Sequence, residues 1–192
     1  MADTNKIKYG IKNVYYAVAT IATNGSATYS APVALPGAVS LSLDAQGDTN
    51  IFHADNIAYY TSVANNGYEG ELELAKIPDT FLKDVLGYVE DKNKVLFEDA
   101  GAAVTHFALL FQFEGDVHSR RHVLYNCTAA RPAVSGSTKE ESIEPQTETL
   151  SITATTVYHP EYDKNIVKAS VTPGEATQYN GWLTSVYMVT ST

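Results

Sequence analysis

Between Ala54 and Gly87 the chain reads ADNIAYYTSVANNGYEGELELAKIPDTFLKDVLG, and the spacing of its apolar and polar positions changes period partway along. Glu69, Glu71 and Glu73 fall at every second position, with Tyr68, Leu72 and Leu74 among the residues before, between and after them. In a strand that period puts three carboxylates on one face and the apolar side chains on the other. Just upstream, Asn66-Gly67 suits a hairpin turn needing positive φ, which predicts a tight reversal between two strands. Downstream, Pro78-Asp79 opens a helix ending at Leu86. Phe81, Leu82, Val85 and Leu86 form its apolar face, and Gly87 is placed to end it.

Strand patterns dominate elsewhere. Val14 to Ile21 is β-branched and aromatic, and Val39 to Leu43 alternates briefly before the polar stretch Asp44 to Asn50. Thr105 to Phe113 is nearly continuous in apolar side chains, as in a strand buried on both faces. A turn around Gly115-Asp116 leads into a further strand, Arg121 to Cys127. Thr149 to Thr155 alternates Leu150, Ile152 and Ala154 with hydroxyl residues, and Trp182 to Val189 reads as a closing strand. Strands before and after a single helix predict a mainly β chain: a β-sandwich or open barrel of two packed sheets with one short α-helix. Asp44 to Asp55 and Pro132 to Pro145 are polar and read as mobile loops. No repeat or linker divides residues 1–192, so one domain is expected.

Composition narrows the function. The 192 residues are 44% hydrophobic, enough for one sizeable core. Thirteen basic against 22 acidic residues leave a net charge of −9, which argues against wrapping the outside of nucleic acid. No apolar run approaches the roughly 20 residues of a membrane span. The N-terminal MADTNKIKYG has no apolar signal region, so no secretion and a cytosolic product are expected. Cys127 stands alone, so no disulfide framework arises within one chain.

The candidate chemistry is thin. Asp116, His118 and His122 could share a strand face, but Asp116 sits in the expected turn and the set is looser than a metal centre. His53 with Asp55 has no third group to complete an acid–base site. Cys127 has no nucleophile motif around it, and phosphate loops, GxSxG and HExxH are missing from the sequence. No catalytic residue, metal or cofactor is expected. Arg120 and Arg121, beside His122, are better suited to salt bridges within or between chains than to a nucleic-acid patch. Tyr59, Tyr60 and Trp182 leave open a second class of function, a β-sandwich module binding cell-surface sugars through aromatic rings.

The opening block, with YGIKNVYYAV (Tyr9 to Val18), FALLFQFEGD (Phe107 to Asp116), RHVLYNCTAARP (Arg121 to Pro132) and EPQTETLSITAT (Glu144 to Thr155), resembles the major tail protein, or tail tube, family of long, non-contractile-tailed phages and prophages of Gram-positive bacteria. The resemblance covers most of the chain. It implies two sheets packed roughly orthogonally with the helix at one edge, and a structural rather than enzymatic role. It further implies six copies per ring and rings stacked into a hollow conduit for DNA. Each copy would lend two hairpins to a continuous inner barrel, placed at Ile57 to Ala75 and Thr105 to Cys127. A tape-measure protein, a tail terminator and a distal tail protein are the implied partners, the virion tail the implied location and the host cytoplasm the site of assembly; no membrane is involved. Longer members carry an immunoglobulin-like module at the C-terminus, for which no room is expected here. On this reading Glu69, Glu71 and Glu73 face the lumen, where DNA passes without specific binding. Asp44, Gly47, Asp48, Gly136, Lys139, Glu140 and Glu141 are candidate assembly-loop residues, and Arg120 and Arg121 candidate intersubunit pairs.

Overall fold

A computed structural model describes residues 9–114, 119–138, 145–174 and 176–190. The first strands are β1 (Ile11–Ile21), β2 (Ala27–Tyr29), β3 (Val33–Ala34) and β4 (Ala38–Gln46). β5 (Thr49–Ala54), β6 (Ile57–Val63) and β7 (Gly67–Leu74) precede helix α1 (Asp79–Asp84). β8 (Tyr88–Glu90), β9 (Leu96–Glu98), β10 (His106–Phe113) and β11 (Arg121–Ala129) follow. The chain continues with β12 (Glu148–Thr155), β13 (Val157–His159), β14 (Lys164–Ile166), β15 (Lys168–Val171) and helix α2 (Ala176–Gly181).

Nine of these strands make one antiparallel sheet in the order β2-β1-β10-β11-β12-β7-β4, with β3 also on β1 and β15 also on β11. β5–β6, β8–β9 and β13–β14 are separate two-stranded ribbons. Both halves of the long sheet supply one core. Val14, Tyr16, Phe107 and Leu109 come from one half, and Leu72, Leu74, Leu150 and Ile152 from the other. The sheet therefore curls around its own side chains as an open barrel. β11 makes this possible by changing partners. Arg121 to Leu124 pair with β15, whereas Asn126 to Ala129 pair with β12. The change falls at Tyr125, whose N–H donates to the Val167 carbonyl at 3.0 Å.

The central strands have a second apolar face. Ala17, Ala108, Leu110, Val123 and Tyr125 point away from the barrel core and pack with Val157, Val171 and Trp182. The segment expected as a closing strand, Trp182 to Val189, is instead an irregular strap that follows α2, a helix the sequence pattern did not reveal. β10 and β11 already have ladder partners on both sides, so what this face needs is apolar cover rather than another strand. The strap supplies it, with Trp182 stacked on Tyr187 and the Tyr125 hydroxyl donating to the Tyr187 carbonyl at 2.9 Å.

α1 closes the barrel core. Pro78 stands at its N-cap, Asp79 in its first turn and Lys83 in its last, as the helix dipole favours. Phe81 is buried edge-on between Tyr16 and Phe107, with ring centroids 5.0 and 5.5 Å away. Val85 and Leu86 are buried just beyond the helix and Leu82 is half-buried. The Tyr16 hydroxyl donates to Asp84 Oδ2 at 2.7 Å, and burial with this contact pushes its pKa up to about 12. Gly87 follows at φ +74, where a left-handed residue ends the run.

Removing the ring that α1 lends to the core tests this packing. Phe81→Ala is expected to destabilise the chain by about 3–5 kcal/mol in chemical denaturation, as for other fully buried aromatics. A loss under about 1 kcal/mol would show that the helix does not anchor the core.

Candidate functional site

Two surface features stand apart from the packed body. The first is a long β arm. β4 runs on into β5 and β6 runs on into β7, so residues 38–74 form one antiparallel ribbon. Its ladder continues through the joint, where Asn66 N donates to Gln46 O at 2.8 Å and Ala64 N donates to Asp48 O at 3.0 Å. The chain reverses at Asp55 and Asn56, with φ of 51 and 61, the left-handed pair of a tight hairpin turn. Asn66-Gly67, expected to make that turn, does not. Gly67 has φ +101 and joins the arm to β7 where β12 crosses closely, since a Cβ there would lie 1.9 Å from the Ala154 carbonyl oxygen. The dipeptide signalled a left-handed residue correctly but not its use.

Asp44 to Asp55, read from sequence as a polar loop, is therefore strand over most of its length. Asp44 lies on β4 opposite Glu69, while Gly47 and Asp48 sit at the joint of the arm. At Gly47 a Cβ would come within 2.0 Å of the Ala64 carbonyl oxygen. Gly136 is exposed with open space around it; Lys139, Glu140 and Glu141 lie outside the described residues.

Beyond the joint the arm is exposed on both faces among the described residues. Ile51, Phe52, Ile57, Tyr59, Tyr60 and Val63 are all exposed, from 47% for Ile51 to 73% for Val63. A two-stranded ribbon without a core is marginal in water, and so dense a set of exposed apolar side chains is of the kind found at interaction surfaces. His53 and Asp55 lie on this arm and at its tip. The sugar-binding set does not assemble: Tyr59 and Tyr60 are on the arm, whereas Trp182 is only 2% exposed inside the second core.

The second feature is a polar sheet face. Glu69, Glu71 and Glu73 on β7 stand opposite Thr153, Ser151 and Thr149 on β12, and opposite Asp44, Ser42 and Ser40 on β4. The reverse side of the same strands, Leu72, Leu74, Leu150 and Ile152, is core. Glu69 and Glu71 are exposed and Glu73 half-buried. Glu73 accepts hydrogen bonds from Thr147 Oγ1 at 2.6 Å and Ser40 Oγ at 2.8 Å. These hydroxyls, Thr147 first, hold its carboxyl below the ordinary range. The ionised form is thus favoured in the fold, and the contact weakens as pH falls through the carboxylate range. Asp44 facing Glu69 is an unfavourable like-charge pair, tolerable because this face is wet. Gly70, between two of the glutamates, lets β4 approach: a Cβ would meet the Ser42 carbonyl oxygen at 1.9 Å.

Other candidates resolve into structure. The Arg121 guanidinium lies 4.0 Å from the Tyr179 ring centroid and donates from Nη1 to the Tyr179 carbonyl, so it secures α2 within its own chain. Arg120 is exposed and also engaged within the chain. His122 stacks on Phe111 at 5.1 Å; Asp116 and His118 lie outside the described residues. The Cys127 thiol is buried, and burial pushes its pKa up to about 12, away from nucleophile chemistry. Among the described residues no three His, Cys, Asp or Glu side chains could hold a metal ion together.

A family model described as phage tail tube protein matches residues 2–192. No curated protein matches the chain.

The joint of the arm gives a direct test. Gly47→Ala is expected to loosen the arm without unfolding the body. Hydrogen exchange at the amides of residues 49–63 should speed up by tenfold or more, about 1.4 kcal/mol of local protection, while those of β10 and β11 hold. Unchanged protection in the arm would mean that the joint tolerates a side chain.

Proposed function

This chain belongs to the phage tail tube protein family, and we propose that it acts as the repeating subunit of a tube built from stacked six-membered rings that conducts the phage genome. Its role is structural, in the virion tail, by self-assembly alongside other tail proteins. In the proposed assembly the polar face of β12, β7 and β4 lines the channel, and a tape-measure protein, a tail terminator and a distal tail protein set its length and ends. Assembly takes place in the host cytoplasm, needs no cofactor, and leaves the DNA unbound as it passes.

The observation that carries this reading is the asymmetry of those three strands. One side is a complete apolar core; the other is a row of carboxylates and hydroxyls. Among the described residues β4, the last strand of the path, has β7 as its one ladder partner. A free edge of this kind is a template for another chain, and closure of a ring through it leaves a barrel without edges. The wall proposed here differs from the hairpins that the resemblance implied. β10 and the first half of β11 are covered on both faces within one chain, and β6 belongs to the arm, so β12, β7 and β4 are the proposed wall. Repeated copies of Glu69, Glu71 and Glu73 would present phosphate with like charge, felt over a Debye length of about 8 Å at physiological salt.

Charge reversal separates assembly from conduction. Phage carrying Glu69→Lys with Glu71→Lys is expected to form tails of normal length in electron micrographs yet deliver DNA about tenfold less efficiently, since each lysine pair attracts the phosphates it meets. Gln at both positions should be milder. Normal delivery by the lysine variant would remove these side chains from the channel wall.

A further inference from the structure

The arm has a counterpart elsewhere on the same chain. β8 and β9 form a second isolated ribbon, in which Val89 pairs across with Phe97, both more than 40% exposed. Its turn is built around Asp91, whose Oδ1 accepts from the N–H groups of Asn93 and Val95 at 2.8 Å each. This leaves Lys92 and Lys94 exposed at the tip, and neither forms an ion pair with a described residue. The ribbon's other charges are occupied: Glu90 holds Lys83 at 2.8 Å and Glu98 holds Arg131 at 2.7 Å.

On the arm, the cross-strand pair Phe52 and Tyr60 occupies the same relative place, with the carboxylate of Asp55 exposed at the turn. The spacing matches. Asp55 is three residues from Phe52, Lys94 three from Phe97, and Lys92 three from Val89. Laid side by side with their tips together, the ribbons bring apolar pair to apolar pair and the Asp55 carboxylate to the Lys92 and Lys94 ammonium groups.

We propose that the β8–β9 ribbon of one copy is the seat for the β5–β6 arm of the next. The inference rests on the tube reading, because a repeating assembly requires a heterologous contact in which two different patches of one chain meet across copies. It explains why two ribbons outside the main sheet keep large apolar side chains in water, and why the charges exposed at their tips are opposite in sign. Apolar burial holds the arm, and the tip charges set which way it lies.

Charge exchange in the purified full chain tests the seat. Asp55→Lys alone, and Lys92→Glu with Lys94→Glu, are each expected to raise the concentration needed for tube formation about fivefold, the effect of one exposed ion pair per contact. All three changes in one chain should bring it back toward wild type. A chain carrying Tyr60→Cys and Phe97→Cys should give a ladder of disulfide-linked copies when its tubes are mildly oxidised. If wild-type tubes form but the exchange does not rescue and no ladder appears, the seat is wrong and the tube reading stands. If wild-type chain yields neither rings nor tubes at any concentration tried, both fall.

Discussion

β1, β10 and β11 carry apolar side chains on both faces, and neither face is stable in water. Covering a large apolar side chain contributes roughly 1.5–3 kcal/mol, several times what an exposed ion pair gives. Much of the remaining architecture follows from meeting that demand twice. The barrel face is covered by the sheet curling back through β12, β7 and β4 and by the single ring of Phe81. The outer face is covered by β13, β15 and the strap that carries Trp182. The partner change in β11 at Tyr125 lets one strand serve the curled barrel and the outer layer together.

Once both faces are covered, β12, β7 and β4 have one face to spare. Three carboxylates there cannot turn inward, since burying unpaired charge costs far more than a strand gains from packing. The wet face is thus a product of the same alternation that builds the core. The arm is a different case. Its strands are continuous with β4 and β7 but outrun the body beneath them, so their ladder is intact while their side chains stay exposed. Within one chain that arrangement is poorly supported; in an assembly it is a surface awaiting cover. In the proposed tube both leftovers have a use.

Much of this was legible wherever one face is wet and the other dry. The alternation around Glu69, Glu71 and Glu73, and that from Thr149 to Thr155, located β7 and β12 because period two survives only in half-buried strands. The apolar run ending at Phe113 announced β10 as covered on both sides. The β5 half of the arm was hidden for the converse reason, although the strand before Asn66-Gly67 was read as one. Without a core its residues show no burial rhythm, so a polar stretch such as 44–55 looked like a loop. Asn66-Gly67 marked a left-handed residue, which a bend between collinear strands requires as much as a turn does. Trp182 and its neighbours looked like a strand because apolar cover and apolar strand have similar composition. Arg121 was read as one half of a salt bridge within or between chains; its contacts with Tyr179 could not be foreseen because α2 was itself unseen.

The central claim is that the carboxylate face of β12, β7 and β4 lines a channel closed through the free edge of β4. Electron cryomicroscopy of the assembled tube tests it most directly. The proposed tube has six copies per ring, an inner wall of β12, β7 and β4, and Glu69 and Glu71 pointing into the lumen. A tube that carries those side chains on its outer surface, or one lined by other strands, would contradict it.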